Sequence, residues 1–324
     1  MPANLHLAHI SDLLLTWAVI GYAIAMLGYA AEFAAGRRNA PRRSQQLGVA
    51  AVVVTVAAWL SHIAAVITRG LAVHRVPWGN MYEFSCMVTL VAVTVFLAML
   101  LRQPVRYLGA FVMLPVVAYL GLAGTVLYAA PGPLVPALDS YWIKIHVVAA
   151  ITATGAFLVS GVVTILYLLK ERWERGLPPL RVSLLNLARP RRPMRVSLGP
   201  GTAAVAEMTV ARSGLMRSLP PAKTLDRIAY RIIAFAFPIW TFAIIAGAIW
   251  AEQAWSRYWG WDPKETWSFI TWLGYAAYLH ARATAGWRGR RAATLSLIAF
   301  GCLMVDYYVV NTVITGLHSY AGIS

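Results

Sequence analysis

The chain has 324 residues, of which 60% are hydrophobic and 12% charged, and its mean hydropathy is +0.63. Soluble globular domains are about 45–50% apolar and about 25% charged, so this composition excludes an ordinary soluble enzyme and a disordered chain. The formal charge of +16 raises the question of nucleic-acid binding, which depends on where the charges lie along the chain.

The apolar residues fall in blocks of about 20, the length that crosses a hydrocarbon core of roughly 30 Å. They do not alternate with polar residues as in a transmembrane β-barrel. The first block lacks a basic leader and has full spanning length, so we expect no cleavable signal peptide. The sequence predicts an all-α, polytopic integral membrane protein with about eight transmembrane helices, at about 12–34, 48–68, 84–101, 107–128, 143–169, 229–250, 264–284 and 292–313.

A long polar segment, 170–228, separates the fifth predicted span from the sixth. It is rich in Arg and Pro and has few aromatic residues, so we expect a largely disordered loop. The predicted organisation is therefore spans 1–5 in 1–169, a basic cytoplasmic loop in 170–228, and spans 6–8 in 229–324.

Lys and Arg residues concentrate in alternate connections between the predicted spans. The connections 35–47, 102–106, 170–231 and 282–291 hold 23 of the 28 basic residues. Without the long loop the count is still 10 against 5. Because cytoplasmic loops concentrate Lys and Arg, both termini are predicted to face outward. Topology thus explains most of the charge, and nucleic-acid binding is not predicted.

Tryptophans gather in one predicted outer connection. Seven of the thirteen lie between Trp240 and Trp272. One interpretation is an aromatic belt at the bilayer interface. However, five of them crowd a short segment, which favours a flat apolar platform for a planar ligand, since indole rings offer large faces at low entropic cost. These five are Trp250, Trp255, Trp259, Trp261 and Trp267.

The tetrapeptide Asp262-Pro263-Lys264-Glu265 has the pattern of a helix start. Asp262 suits an N-cap, Pro263 suits the first helical position, and Glu265 completes a capping box. A purely structural capping role and a role in ligand binding both remain open for the two acids.

Two histidines lie at the predicted level of the tryptophan segment. His146 is at the outer end of the fifth span, and His318 follows the eighth. A single histidine at a helix end is usually an interfacial polar residue. Two of them flanking an indole platform favour a pair of axial ligands for haem iron.

His280 lies 17 residues after Pro263, roughly 26 Å along a helix and close to the cytoplasmic side. Polar residues inside spans are functional candidates, although an interfacial histidine beside Arg282 is an equal alternative. Weaker candidates are His62 in the second span and His74 in the first outer loop, and Asp306 is a further ionisable residue inside the eighth span. Cys86 and Cys302 form no C-x-x-C or C-x-x-C-H motif, so the chain has no dithiol pair and no covalent haem attachment site of its own.

Three separate motifs resemble one protein family. The segment 250–282, WAEQAWSRYWGWDPKETWSFITWLGYAAYLHAR, resembles the WWD domain of haem-handling membrane proteins. The other two are VPWGNMYEF at 76–84 and VNTVITGLHSY at 310–320. Together they resemble the CcsA/ResC family of system II cytochrome c maturation, and the resemblance covers most of the chain outside 170–228.

The resemblance implies a haem pathway. Reduced haem b would be taken up from the cytoplasmic side at His280 and reach an outer site with His146 and His318 as iron ligands. The same outer site would include Trp255, Trp259, Trp261, Asp262 and Trp267.

At that site the haem would be joined by thioether bonds to the C-x-x-C-H motif of an apocytochrome c, as in a holocytochrome c synthase (a lyase). The family works with a Ccs1/ResB-type membrane partner, thought to supply the second transmembrane ligand. The implied location is the bacterial plasma membrane, with the plastid thylakoid as the alternative. Two other functions remain open: a transporter with an outer aromatic vestibule, and a scaffold that docks a partner there.

Overall fold

A computed structural model describes residues 3–37, 41–132, 140–177, 216–314 and 316–317. These residues form eight long helices, and no strand occurs among them. The helices are α1 (Leu5–Arg37), α2 (Pro41–Val73), α3 (Met81–Arg102), α4 (Gly109–Thr125), α5 (Tyr141–Glu174), α6 (Ala222–Trp255), α7 (Pro263–Ala283) and α8 (Arg290–Thr312). A short 3₁₀ turn, Arg106–Leu108, precedes α4.

Seven of the eight described helices are long and apolar enough to cross a membrane. The exception is α7, whose 21 residues are long enough at about 1.5 Å each but carry several charges. The predicted all-α, polytopic membrane fold is confirmed, and each predicted span coincides with one helix.

Small residues set how closely the helices pack. A Cβ added to Gly21 would lie 2.8 Å from the Cβ of Ala58, and one added to Gly28 would lie 3.0 Å from that of Ala51, so α1 and α2 are in intimate contact. Such close approach is the usual basis of helix association in lipid. α4 packs on α1, and α3 links this group to α5. The most buried helix is α5, which packs along α6 and also contacts α8.

The end of the bundle that we predict to face the cytoplasm is joined by ion pairs. Arg282 on α7 donates to both carboxylate oxygens of Asp226 on α6, at 2.7 and 3.0 Å. Arg290 on α8 lies 2.6 Å from Glu171 on α5. These partners explain why α5 continues beyond 169 to Glu174 and why α6 begins at Ala222, inside the stretch predicted as loop. The centre of that loop, 178–215, lies outside the described residues.

α8 changes its winding near the opposite end. It is α-helical over Arg290–Met304, π-helical over Val305–Val309 and α-helical again over Val310–Thr312. Single π-helical turns inside α-helices are rare and occur often at functional sites. Asp306 lies in this turn and is buried.

Candidate functional site

A deep cavity opens at one end of the helix bundle. This end carries the α6–α7 connection and its tryptophans (residues 250–267), and we call it the tryptophan end. The cavity lies between α3, α5, α6, α7 and α8 and has a volume of about 180 Å³. One water needs roughly 10–15 Å³, so the space is that of a ligand with many atoms. On α6 its lining runs from Trp255 down to Trp240, roughly 22 Å into the bundle.

Part of the predicted indole platform forms the cavity wall. Trp255 and Trp259 line the cavity together with the buried Trp250, whose ring meets that of Trp255 edge-on at 4.8 Å. Trp261 is 67% exposed and packs edge-on against Trp259 at 5.8 Å. Neither Trp261 nor Trp267 is among the lining residues. The structure thus brings two of the four predicted ligand-binding tryptophans to the cavity.

Two further tryptophans line the cavity that sequence reasoning did not single out. Trp240 lies at its deep end and Trp78 comes from the loop before α3. Trp78 belongs to the VPWGNMYEF motif, so the motif itself was the signal for it. In the sequence, Trp240 is one apolar residue among the others of its span, and the pattern does not indicate that its side chain faces a cavity.

The connection between α6 and α7 contains an unusual backbone. Ser256 and Trp261 have φ values of +54° and +57°, a left-handed conformation that is costly for a bulky side chain. Between them, the guanidinium group of the exposed Arg257 lies against the bare Cα of Gly260 and would have to move aside for a Cβ there. Strain of this kind clusters at ligand sites and switch regions.

The capping box predicted at the start of α7 is confirmed. Asp262 Oδ2 accepts the backbone N–H of Lys264 at 3.2 Å, and Glu265 Oε2 accepts those of Gly260 and Asp262 at 2.8 and 3.1 Å. Both acids are buried. Glu265 therefore fixes the turn that carries the strained Trp261, and it also lines the cavity.

His146 is the histidine of the described part of the chain that lines this cavity. Its Nδ1 lies 2.7 Å from the carbonyl oxygen of Ala243 on α6. Because a carbonyl only accepts, Nδ1 carries the proton, and in the neutral ring Nε2 then has the lone pair that binds metals. The ring packs on Gly247, where an added Cβ would lie 2.7 Å from Nδ1. A backbone carbonyl that orients the imidazole in this way is typical of metal-ligating histidines.

His318, the second predicted outer ligand, lies outside the described residues. The described chain ends with Leu317, whose backbone N–H donates to Asp262 Oδ1 at 2.7 Å. The structure therefore describes the chain up to the residue before His318, at the edge of the tryptophan segment.

The remaining histidine candidates lie away from the cavity. His280 is exposed on α7, near the opposite end of that helix. His62 on α2 is fully buried, and its Nδ1 lies 3.3 Å from Oη of Tyr22 on α1. His74 is exposed in the loop before α3. The described residues contain no cluster of three or more His, Cys, Asp or Glu side chains suited to a metal ion.

A charged pair in the cavity wall was missed in the sequence. Lys264 donates to the backbone oxygen of Asp306 at 2.9 Å and lies 3.7 Å from its carboxylate. The sequence separates these residues by 42 positions, and Asp306 lies in the π-helical turn, where the α-helical periodicity that assigns residues to a face does not apply. Asp306 alone was noticed, as an ionisable residue within a span.

The VPWGNMYEF motif builds one wall of the cavity. Asn80 caps α3 by accepting the N–H of Glu83 at 2.8 Å. The buried Glu83 carboxylate accepts from Arg69 at 3.1 Å and Arg75 at 2.7 Å, and from the N–H of Gly79 at 2.9 Å. These contacts fix the loop that carries Trp78 and the first turn of α3 that carries Phe84, and both side chains line the cavity.

The fold and the cavity define a class: helical membrane proteins with a tryptophan-lined cavity at one end of the bundle and a backbone-anchored histidine in its wall. A family model described as cytochrome C assembly protein matches residues 78–318. Three similar proteins carry the name cytochrome c biogenesis protein CcsA. That of Gloeobacter violaceus is 39% identical over 302 residues, 86% of this chain and 87% of its own length.

The second, from Synechocystis sp., is 38% identical over 275 residues, 78% of this chain and 82% of its own length. The third, from Synechococcus elongatus, is 43% identical over 202 residues, 58% of this chain and 60% of its own length. The chain belongs to the CcsA family of cytochrome c assembly proteins.

Proposed function

We propose that this chain is the haem-handling subunit of a system II cytochrome c synthetase, and that it presents reduced haem for thioether attachment to an apocytochrome c. The observation that carries the proposal is His146, held by a backbone carbonyl in the wall of a deep, tryptophan-lined cavity. Membership of the CcsA family supports the role in cytochrome c maturation.

Haem, as haem b, is the substrate that suits this cavity. A porphyrin needs apolar faces and an iron ligand, which Trp255, Trp259 and His146 provide. Lys264 adds a cationic group to the cavity wall, which suits the propionate carboxylates at one edge of haem. His318 is the proposed second ligand, and Trp261, Asp262 and Trp267 remain proposed members of the wider site.

The chemistry requires a cysteine thiol to add across a haem vinyl group. A carbon–sulfur bond forms at the vinyl carbon next to the ring, the S–H bond breaks, and the proton goes to the terminal vinyl carbon. The chain contributes by holding the haem in one orientation at the mouth of the cavity, so that the thiols of a C-x-x-C-H motif reach both vinyl groups. Positioning of this kind can supply a large part of a rate acceleration.

His280 is the proposed ligand for haem on its way from the cytoplasmic side. It is exposed on α7, in the last turn of the helix. A Ccs1/ResB-type partner packed on this face would supply the second ligand there. The tryptophan end, and both termini, would then face outward from a bacterial plasma membrane or, in the alternative location, a thylakoid membrane.

The proposal is tested by co-expressing the chain with a Ccs1/ResB-type partner and an apocytochrome c, and staining for covalently bound haem after denaturing electrophoresis. We expect attachment with the unchanged chain and with the control His9→Ala, whose histidine is exposed on α1. We expect its loss with His146→Ala. Full attachment with His146→Ala would contradict the proposal and favour a scaffold.

A further inference from the structure

Among the described residues, the carboxylate of Asp262 contacts two different parts of the chain. Oδ2 accepts the N–H of Lys264 and caps α7. Oδ1 accepts the N–H of Leu317, at the shorter distance of 2.7 Å. Capping alone needs a single acceptor, which Ser, Thr or Asn supplies as well as Asp. The second contact therefore gives the aspartate a task beyond starting the helix.

Two other observations indicate that the segment after α8 is seated on the first turn of α7. A Cβ added to Gly316 would lie 2.7 Å from Asp262 Oδ1 and 3.3 Å from Pro263 Cδ, so only glycine permits this approach. In addition, Lys264 donates to the backbone of Asp306, which joins the same turn to α8 from the cavity side.

We propose that Asp262 is a positioning residue that fastens Gly316 and Leu317, after α8, to the first turn of α7, and so restricts the positions that the next residue, His318, can take. Consecutive Cα atoms are 3.8 Å apart, so fixing Leu317 limits where the next imidazole can reach. The tether itself rests on described contacts. Its consequence for haem rests on the proposed function, in which His318 is an iron ligand.

Two substitutions separate the tether from the cap. In Asp262→Asn the amide oxygen still caps α7, but the amide nitrogen only donates and cannot accept the N–H of Leu317. Gly316→Ala keeps the aspartate and both of its acceptor oxygens, and its added Cβ, which would lie 2.7 Å from Oδ1, forces the backbone of Gly316 and Leu317 away from the carboxylate. A shared effect of these two variants therefore reports on the tether and not on folding of α7.

The first measurement is hydrogen exchange at the Leu317 amide in haem-free protein. Since a hydrogen bond to a charged group is among the stronger ones, we expect exchange about tenfold faster in both variants than in the unchanged chain. Exchange in both variants at the rate of the unchanged chain would overturn the tether. This result does not depend on whether the chain binds haem.

The second measurement is the absorption spectrum after haem loading. With Asp262→Asn and with Gly316→Ala we expect loss of the bis-imidazole spectrum, and its return when imidazole is added. Asp262→Asn combined with His318→Ala should bind haem no more weakly than His318→Ala alone, because both changes remove the same ligand, His318. A further additive loss would overturn the positioning role. If the unchanged chain bound no haem, the proposed function would fail, while the exchange result would still decide the tether.

Discussion

At the scale of single residues, backbone atoms set the environment of His146. The ring is oriented by the carbonyl of Ala243 and packs on the bare Cα of Gly247. Since neither partner is a polar side chain, the sequence reveals the histidine but not what holds it. The same environment makes the ring sensitive to a single added methyl group.

Gly247→Ala is expected to weaken haem binding by about tenfold, or about 1.4 kcal/mol, because the new Cβ would displace the His146 ring. Gly301→Ala on α8 is the matched control, since nothing lies within 4 Å of a Cβ there. Haem titration of both variants is the measurement. Equal affinities would show that the position of the ring does not govern binding.

Trp259→Ala is expected to cost about 0.5–1.5 kcal/mol of haem-binding free energy, because its ring lines the cavity. Trp261→Ala should cost less, since that ring is largely exposed and lies outside the lining. The affinities come from the same titration. A larger loss with Trp261→Ala would mean that the platform extends outside the cavity.

Local features of the site could be predicted, whereas distant pairings could not. The capping box at Asp262 and Glu265 depends on four consecutive residues and was predictable from them. Which tryptophans line the cavity depends on the left-handed turn at Trp261, where helical periodicity no longer applies. The contact between Asp262 and Leu317 joins residues 55 positions apart, and no local pattern indicates it.

At the scale of elements, the loop before α3 is stabilised by a buried carboxylate with two arginine partners. Glu83 is 1% exposed and bridges α2, the loop and α3 through Arg69 and Arg75. The VPWGNMYEF motif marked this loop as a conspicuous outer segment, but it did not predict that Glu83 stabilises the loop. The arrangement predicts that the loop depends on the charge of Glu83.

Glu83→Gln is expected to destabilise the protein by about 3–5 kcal/mol, because the buried Arg69 and the partly buried Arg75 lose their counter-ion. Glu174→Gln should cost less than about 1 kcal/mol, because the Glu174 side chain is 38% exposed and lies 3.7 Å from Lys170, which also donates to the backbone oxygen of Met216. Thermal unfolding midpoints in the same detergent compare the two. Similar midpoints would contradict the role of the buried network.

The residues at which helices end are a second feature at the scale of elements, and the sequence composition predicts them only approximately. Charged residues mark the end of an apolar block, yet α5 continues through Lys170 and Glu171 because both are paired, with Glu174 and Arg290. A sequence pattern shows where a chain leaves the hydrocarbon region. It does not show where the helix stops.

At the scale of the whole molecule, the apolar blocks of the sequence predicted the eight long helices of the described residues, although α7 carries several charges. Their order of packing was not predictable, because helices in lipid associate through small residues at positions that periodicity does not single out. The convergence of five helices around the cavity therefore emerges only from the structure.

The orientation in the membrane follows from the charge count and has a direct test. Reporter enzymes fused at both termini are expected to be active outside the cytoplasm, and one inserted within 178–215 inside it. Activity of the terminal fusions inside the cytoplasm would place the tryptophan end on the wrong side for attachment to an exported apocytochrome.

The most direct test of the central claim is the absorption spectrum of the purified chain, expressed with an ample haem supply. For the unchanged chain, which has both His146 and His318, we predict the spectrum of low-spin, bis-imidazole haem. With His146→Ala we predict loss of that spectrum and its recovery on adding imidazole. A colourless unchanged chain, or a spectrum unaltered by His146→Ala, would contradict the claim that the tryptophan cavity binds haem through His146.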